Sequence, residues 1–332
     1  GYVIVAMVWV VFSAFGLLPY YLSGQVGSLT DAWFESMSGF TTTGATIIPD
    51  LEMITHGLLF WRSLTQWIGG MGIIVLSIAI LPIFGLNGMQ LYAAEVSGLT
   101  YEKVSPRIAD TAKMMWSIYV LLTVTEVAAL WLCGMDVFDA MCHSLTTLAS
   151  GGYSTKNASI AYWASPAIHY TIIFFMIVAG SNFSLLYGAL IRRQGKRLMN
   201  DEEFRTYTYS IIGISLFIGI GLLSTRSFDG IATIEKSFRD ALFQTVATIT
   251  TTGFSTSNYM AWHPILWLII FLMIPMGGTA GSTSGGIKTI RLHIMAKNIY
   301  YEFKRPPVCI KNFQLSFSCD FIVLRMHNVI FD

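Results

Sequence analysis

Three short Thr/Ser-Gly stretches have the composition of a loop that binds an alkali cation through its backbone. Carbonyl oxygens of such stretches can replace the hydration shell of the ion. A glycine at the turning point permits backbone angles that other residues resist. We therefore interpret the three stretches as the walls of a selectivity filter. The candidate ion ligands are the backbone carbonyls of Thr42, Thr43, Gly44, Ser150, Gly151, Gly152, Thr251, Thr252 and Gly253.

The three stretches share one register, in which an Asp-Ala pair precedes the last glycine by a constant distance. That glycine follows the aspartate by 13 residues in each copy. The pairs are Asp31-Ala32, Asp139-Ala140 and Asp240-Ala241. We expect the aspartates to be helix N-caps, since Asp at a helix start satisfies free N–H groups and suits the helix dipole. Close helix packing through small residues is the alternative for the loops, but it does not account for the constant offset.

The segment between each aspartate and its threonines is long enough for a short helix only. About 10 residues of helix measure roughly 15 Å, which is half of a bilayer. The loop that follows leaves bare backbone at membrane depth, and this is tolerated where the loop is buried in protein or lines a water-filled path. The partial negative charge of the helix C-terminus favours a cation there. The predicted unit is span, short helix, filter loop, span.

Composition places these units in a membrane. The chain has 332 residues, of which 54% are hydrophobic and 12% are charged, with a mean hydropathy of +0.60. Soluble domains carry about 25% charged residues. Six apolar segments are long enough to cross a bilayer. They are residues 2–22, 58–85, 114–134, 165–191, 207–224 and 263–297.

The predicted fold class is an all-α integral membrane protein with tandem span–pore helix–filter loop–span repeats, of which three are visible. Repeat 1 covers residues 1–85, repeat 2 covers 114–191 and repeat 3 covers 207–305. Residues 86–113 and 192–206 are predicted to form cytoplasmic connections, and 306–332 form a tail without a pore-loop signature. The start of the chain inside an apolar run suggests the middle of a longer protein.

Charge distribution predicts the orientation. The segment 23–57 has no Lys or Arg, whereas the 192–206 connection is basic, so this connection is expected in the cytoplasm. Its cluster Arg192–Arg197 is interpreted as a topology determinant, with regulator docking or anionic lipid as alternatives. Arg62, near the outer end of the second span, is expected to extend to the membrane interface. The sequence shows no nucleophile–base pair and no metal-ligand spacing, so we predict neither an enzyme nor a nucleic-acid-binding protein.

The sixth span is predicted to break between Pro275 and Gly286, because this stretch combines a proline, five glycines and several Ser/Thr residues. Broken helices at membrane depth usually line cavities. A packing kink is the alternative. The predicted gate consists of Gly277, Gly278, Thr279, Ala280, Gly281, Ser282, Thr283, Ser284, Gly285 and Gly286.

Together with Trp61–Gly72 and Gly277–Lys288, the three loops resemble the Trk/Ktr/HKT superfamily of potassium transporters, most closely the bacterial Trk-type membrane subunit. The resemblance covers about residues 1–305. It implies an inner-membrane, multi-pass homodimer in which four pseudo-symmetric repeats surround one ion path. It further implies K⁺ as the transported ion at the filter carbonyls, no covalently bound cofactor, an intramembrane gating loop in the third repeat, and a cytoplasmic nucleotide-binding regulatory subunit. Glycine at every filter goes with potassium preference, and Ser in the first repeat with sodium.

The repeat spacing places a fourth filter glycine roughly 100 residues after Gly253, beyond Asp332. Truncation or a frame shift after about Arg305 is the expected reason. Two alternatives to potassium uptake therefore stay open: a sodium or mixed-cation transporter, and a truncated fragment that does not conduct and associates with intact subunits.

Overall fold

The computed structural model describes residues 2–72, 108–225 and 230–304, and these residues are predominantly helical. Outside the helices, the described ranges contain an isolated bridge between Met276 and Ile287 and no named strand. The predicted all-helical class is confirmed for this part of the chain. The end of the second predicted span, residues 86–107 of the predicted 86–113 connection and the 306–332 tail lie outside the described residues.

The described residues contain thirteen α-helices and two 3₁₀ turns, joined by loops. The 3₁₀ turns are Ser159–Tyr162 and Tyr259–Ala261. The helices are α1 Tyr2–Gly16, α2 Leu18–Leu22, α3 Leu29–Phe40, α4 His56–Gly70, α5 Ile108–Leu132, α6 Val137–Leu148, α7 Pro166–Ala179, α8 Phe183–Leu190, α9 Gly195–Asn200, α10 Glu202–Thr225, α11 Ile231–Ile249, α12 Pro264–Met273 and α13 Thr289–Lys304. The residues up to His293 form one compact unit, and the described part of the second unit, residues 294–304, is helical.

Within these ranges, two helices are long and apolar enough to cross a bilayer by themselves. They are the Ala112–Leu132 part of α5 and the whole of α10, Glu202–Thr225. The pair α7 and α8 passes the same test together, but its two helices are bent by 109°. The prediction of one continuous span over 165–191 is therefore wrong. Gly180 ends α7, and the Asn182 side chain caps α8 by accepting the backbone N–H of Ser184 at 2.8 Å.

Three helices, α3, α6 and α11, end at the predicted filter loops, and the N-cap prediction is wrong for all three aspartates. The side chains of Ser28 and Asp136 cap α3 and α6, which leaves Asp31 and Asp139 in the first turns. Helix α11 begins at Ile231, so Asp240 is buried in its interior. The first two helices have 12 residues, close to the predicted length, whereas α11 has 19.

The loop-bearing helices are held by apolar packing against the longer ones. Helix α6 packs on α4, α5 and α7, and α11 packs on α10 and α7. An aromatic cluster of Trp67, Trp116 and Tyr119 joins α4 to α5, and the Tyr119 hydroxyl donates to the Trp67 carbonyl at 3.0 Å. The loops are thus attached to a close-packed frame.

Candidate functional site

The three predicted filter loops have one backbone conformation. We call them loop 1 (residues 41–46), loop 2 (149–155) and loop 3 (250–256). Each contains a non-glycine residue in the left-handed region, with φ of 53°, 53° and 56°, and a glycine two residues later with φ of 75°, 74° and 78°. In chain order, the pairs are Thr42 and Gly44, Ser150 and Gly152, and Thr251 and Gly253. The glycines are required because a side chain is strained at these angles.

A repeated hydrogen bond at each helix end produces this conformation. In each loop a backbone N–H donates a hydrogen bond of 2.9 Å to the carbonyl five residues earlier, as in a Schellman motif. The donor–acceptor pairs are Thr43 to Ser38, Gly151 to Thr146 and Thr252 to Ala247. Each loop therefore begins directly at a helix C-terminus, where the partial negative charge favours a cation.

Eight of the nine candidate ligand carbonyls accept no hydrogen bond from the residues that the structure describes. The exception is Gly151, whose carbonyl accepts from the Gln66 side chain at 2.9 Å. Backbone carbonyls are normally paired. A set of eight without protein partners, in three loops of one conformation, has the chemistry to replace the water shell of an alkali cation.

Neighbouring loops are in direct backbone contact. A Cβ added to Gly44 would overlap the Gly151 carbonyl oxygen, and a Cβ added to Gly152 would overlap the Thr252 carbonyl oxygen. Loop 1 therefore abuts loop 2, and loop 2 abuts loop 3. At Gly253 a Cβ would have no heavy atom of the described residues within 4 Å.

The side chain of Gln66 fixes loop 2 from α4. Its amide nitrogen donates to the Gly151 carbonyl, and its amide oxygen accepts the Tyr153 N–H at 3.1 Å. The side chain is fully buried. Sequence reasoning quoted Gln66 within the Trp61–Gly72 stretch but assigned it no role. The available signal was a polar amide side chain inside the predicted second span.

In the first two repeats, the residue four positions after the aspartate forms a hydrogen bond with the filter loop. In the first repeat it is Glu35, whose carboxylate accepts the Thr46 hydroxyl, and in the second it is His143, whose Nε2 lies 2.9 Å from Ser154 Oγ. The partner follows by 11 residues in both cases. Glu35 also lies 3.4 Å from the Nε atom of Arg62, which is buried. The expectation that Arg62 extends to the membrane interface is therefore wrong.

The predicted break in the sixth span is present between α12 and α13. Residues 274–288, which we call the interrupting loop, contain all ten predicted gate residues. The Gly277 N–H donates to the Ile287 carbonyl at 2.9 Å, and the Ile287 N–H donates to the Pro275 carbonyl at 2.8 Å. These two bonds close the loop at its base.

The interrupting loop contacts loops 2 and 3. The Thr283 hydroxyl lies 3.0 Å from that of Ser150, and the Gly285 N–H donates to the Thr251 hydroxyl at 2.6 Å. On its other side, the Thr279 N–H donates to the Gly180 carbonyl at 2.9 Å. The bend between α7 and α8 thus receives the interrupting loop.

Two charged side chains that sequence reasoning did not select hold the interrupting loop. The Glu203 carboxylate accepts the backbone N–H groups of Ala280 at 2.8 Å and Ile290 at 3.0 Å. The Lys288 ammonium donates to the Ser284 carbonyl. Lys288 ends the Gly277–Lys288 stretch and Glu203 lies in the 192–206 connection, but their partners become visible only in the fold.

The described residues contain no cluster of three or more His, Cys, Asp or Glu side chains suited to a metal ion. The loops themselves offer a cation backbone carbonyls and the hydroxyls of their threonines and serines. Such ligands suit a hard, weakly held ion.

Comparison with known proteins gives one family. Residues 1–326 match the profile described as "TrkH: Cation transport protein". The "Trk system potassium uptake protein TrkH" of Escherichia coli K12 is 44% identical over 308 residues, which is 92% of this chain and 63% of the relative. TrkH of Vibrio parahaemolyticus is 41% identical over 309 residues, with the same coverage. The chain thus spans 63% of the length of these curated relatives.

A solved structure agrees with the sequence match. It is described as "Crystal Structure of the Potassium Transporter TrkH from Vibrio parahaemolyticus" and superposes with a TM-score of 0.80 at 36% identity. The match covers 99% of this chain and 68% of that one.

Proposed function

This chain belongs to the TrkH family of cation transport proteins, and on that premise we propose that it forms the ion path for potassium uptake across a membrane. The observation that carries the proposal is the set of eight carbonyls without protein partners in three loops of one conformation. The relatives named above are potassium uptake proteins. Potassium would pass down its electrochemical gradient, and the chain would act as a transporter and not as an enzyme.

We propose that loops 1 to 3 are three walls of a selectivity filter within tandem span–pore helix–loop–span repeats. Glycine in all three loops favours potassium over sodium, by the family resemblance. Gly152 of loop 2 lies against the backbone of loop 3, whereas no described residue lies against the equivalent Gly253 of loop 3. A fourth loop of the same kind, placed against Gly253, would complete the ring around the ion.

The interrupting loop is proposed as the gate. Support comes from its two hydrogen-bonded contacts with Ser150 and Thr251, which place it against two of the three filter loops. Its backbone is non-helical at a depth where backbone must be buried or line a water path. A loop held there by a few side-chain hydrogen bonds can be displaced without unfolding the helices around it.

The cellular setting follows from the same resemblance. We propose a multi-pass protein of the cell inner membrane that contacts lipid and forms a homodimer. A cytoplasmic nucleotide-binding subunit would regulate it. The 192–206 connection is the basic segment expected on that side.

The test is uptake of rubidium and sodium tracers into proteoliposomes that contain the purified chain. We expect rubidium uptake to exceed sodium uptake, and we expect Gly44→Ser, Gly152→Ser and Gly253→Ser to lower this ratio. Gly27→Ser is the control, because Gly27 has open space around it and lies outside the three loops. Unchanged ratios in all three variants would remove the filter assignment.

The same assay addresses the two alternatives. A sodium or mixed-cation transporter would give equal or reversed uptake. A non-conducting fragment would give no uptake alone but would co-purify with a full-length TrkH-type partner when the two are co-expressed with different tags.

A further inference from the structure

Glu35 is a buried carboxylate directly behind loop 1. Its side chain is 0% exposed. One oxygen accepts the backbone N–H of Ile47 at 2.8 Å and the hydroxyl of Thr46. The other lies 3.1 Å from the Tyr153 hydroxyl and 3.4 Å from Arg62 Nε. Four groups thus contact the two carboxylate oxygens.

Arg62 balances this charge from α4. Its side chain is 1% exposed, and its Nη1 donates to the Ser154 carbonyl at 3.4 Å. The centre of the guanidinium lies 4.0 Å above the ring of Tyr153. Its Nη2 has no hydrogen-bond partner among the described residues. Burial of two opposite charges is weak evidence for a stabilising role, because desolvation offsets their attraction.

The pair connects two filter loops. Glu35 accepts the hydroxyl of Thr46 in loop 1, whereas Arg62 contacts loop 2 through Ser154 and Tyr153. The Tyr153 hydroxyl also lies 3.2 Å from the carbonyl of Ala45, the residue after the loop 1 glycine. A single tyrosine hydroxyl therefore bridges the carboxylate and the backbone of loop 1.

The other two repeats lack this carboxylate. The same position after the aspartate holds His143 in the second repeat and Gln244 in the third. The first repeat alone among the three therefore has a formal charge pair at this place. The proposed filter function requires no such asymmetry.

We propose that the Glu35–Arg62 pair is a specificity-determining positioning element, which keeps the charge behind loops 1 and 2 balanced so that the loop carbonyls set the affinity for the cation. The proposal rests on the filter function above. Loss of either partner leaves the other charge beside the ion path. The two losses therefore act on a cation in opposite directions, which a purely structural role does not predict.

The test compares Glu35→Gln, Arg62→Gln and the double variant with the full chain. Rubidium binding is measured in detergent by isothermal titration, and rubidium uptake is measured separately in proteoliposomes. In Glu35→Gln the guanidinium stays uncompensated, and we expect rubidium affinity about tenfold weaker, as for one charge roughly 10 Å away at an effective dielectric constant of about 20. In Arg62→Gln we expect tighter binding by a similar factor. The double variant should return towards the unmodified chain.

The control is Glu52→Gln, which removes a carboxylate from an exposed position and should leave the affinity unchanged. Equal weakening in both single variants, or an additive loss in the double variant, would overturn the proposal and indicate a structural role only. Absence of rubidium binding and of rubidium uptake in the unmodified chain would instead refute the filter function, and this proposal with it.

Discussion

At Gly152 a substitution would be destabilised both by the close contact between loops 2 and 3 and by backbone strain, and the two contributions can be separated. An alanine there must adopt φ near 74°, which costs an L-residue about 1–2 kcal/mol. Its Cβ would also overlap the Thr252 carbonyl oxygen. That carbonyl cannot move freely, because the N–H of the same residue donates to Ala247 at 2.9 Å. Overpacking of this kind adds about 1–3 kcal/mol, so we expect a total loss of about 2–5 kcal/mol.

Two other glycines separate the two contributions. Gly253→Ala places a Cβ at φ 78° with no described heavy atom within 4 Å, so it retains the strain without the overlap. Gly24→Ala does the same at φ 68°, far from the loops in sequence. Both should lose only about 1–2 kcal/mol.

The assay is thermal unfolding of the detergent-solubilised chain, followed by the rubidium-to-sodium uptake ratio of the same samples. Gly152→Ala should unfold several degrees below Gly253→Ala and should lose selectivity, because the displaced Thr252 carbonyl is a proposed ion ligand. Equal unfolding midpoints for Gly152→Ala and Gly253→Ala would refute the contact between loops 2 and 3. A normal uptake ratio in a destabilised Gly152→Ala protein would refute the role of the Thr252 carbonyl.

Three further outcomes are expected. Thr283→Val should increase rubidium uptake, because it removes the hydroxyl that donates to the Leu148 carbonyl at 2.9 Å and so loosens the interrupting loop; uptake equal to that of the unmodified chain would contradict this. Glu203→Ala should destabilise the chain by about 1–3 kcal/mol, since two half-buried N–H groups lose their acceptor. It should also speed hydrogen exchange at those amides, whereas Glu203→Gln keeps an acceptor oxygen and should show less of both effects. Tyr119→Phe should lower the free energy of unfolding by about 1 kcal/mol through loss of the 3.0 Å bond to the Trp67 carbonyl, and an unchanged denaturation midpoint would speak against that bond.

Local chemistry made part of this structure predictable. The constant Asp-to-Gly spacing located all three loops, because each loop is built by its own helix end and its own glycine. The proline and glycines of residues 275–286 located the break in the sixth span, since helix propensity is a local property. Both features depend on residues close together in the chain.

Features that depend on distant partners were not predictable. The bend at Gly180 is a short interruption in an apolar run, and its carbonyl is satisfied by Thr279, about 100 residues away. Arg62 has the sequence context of an interfacial arginine, but Glu35 of another helix pairs with it. Asp240 has the sequence context of a helix N-cap, but nine residues of α11 precede it in the structure. No local pattern contains these partners.

The hydrogen bonds from the interrupting loop to Ser150 and Thr251 have a thermodynamic consequence. If the loop is displaced when the path opens, the filter residues lose these partners, so the open and closed states differ in how firmly loops 2 and 3 are held. Linkage then requires reciprocity: the factor by which opening changes ion affinity is the factor by which bound ions change the opening equilibrium. Under the proposed function, the permeating ion itself would then be an effector of the gate, and its binding would shift the opening equilibrium.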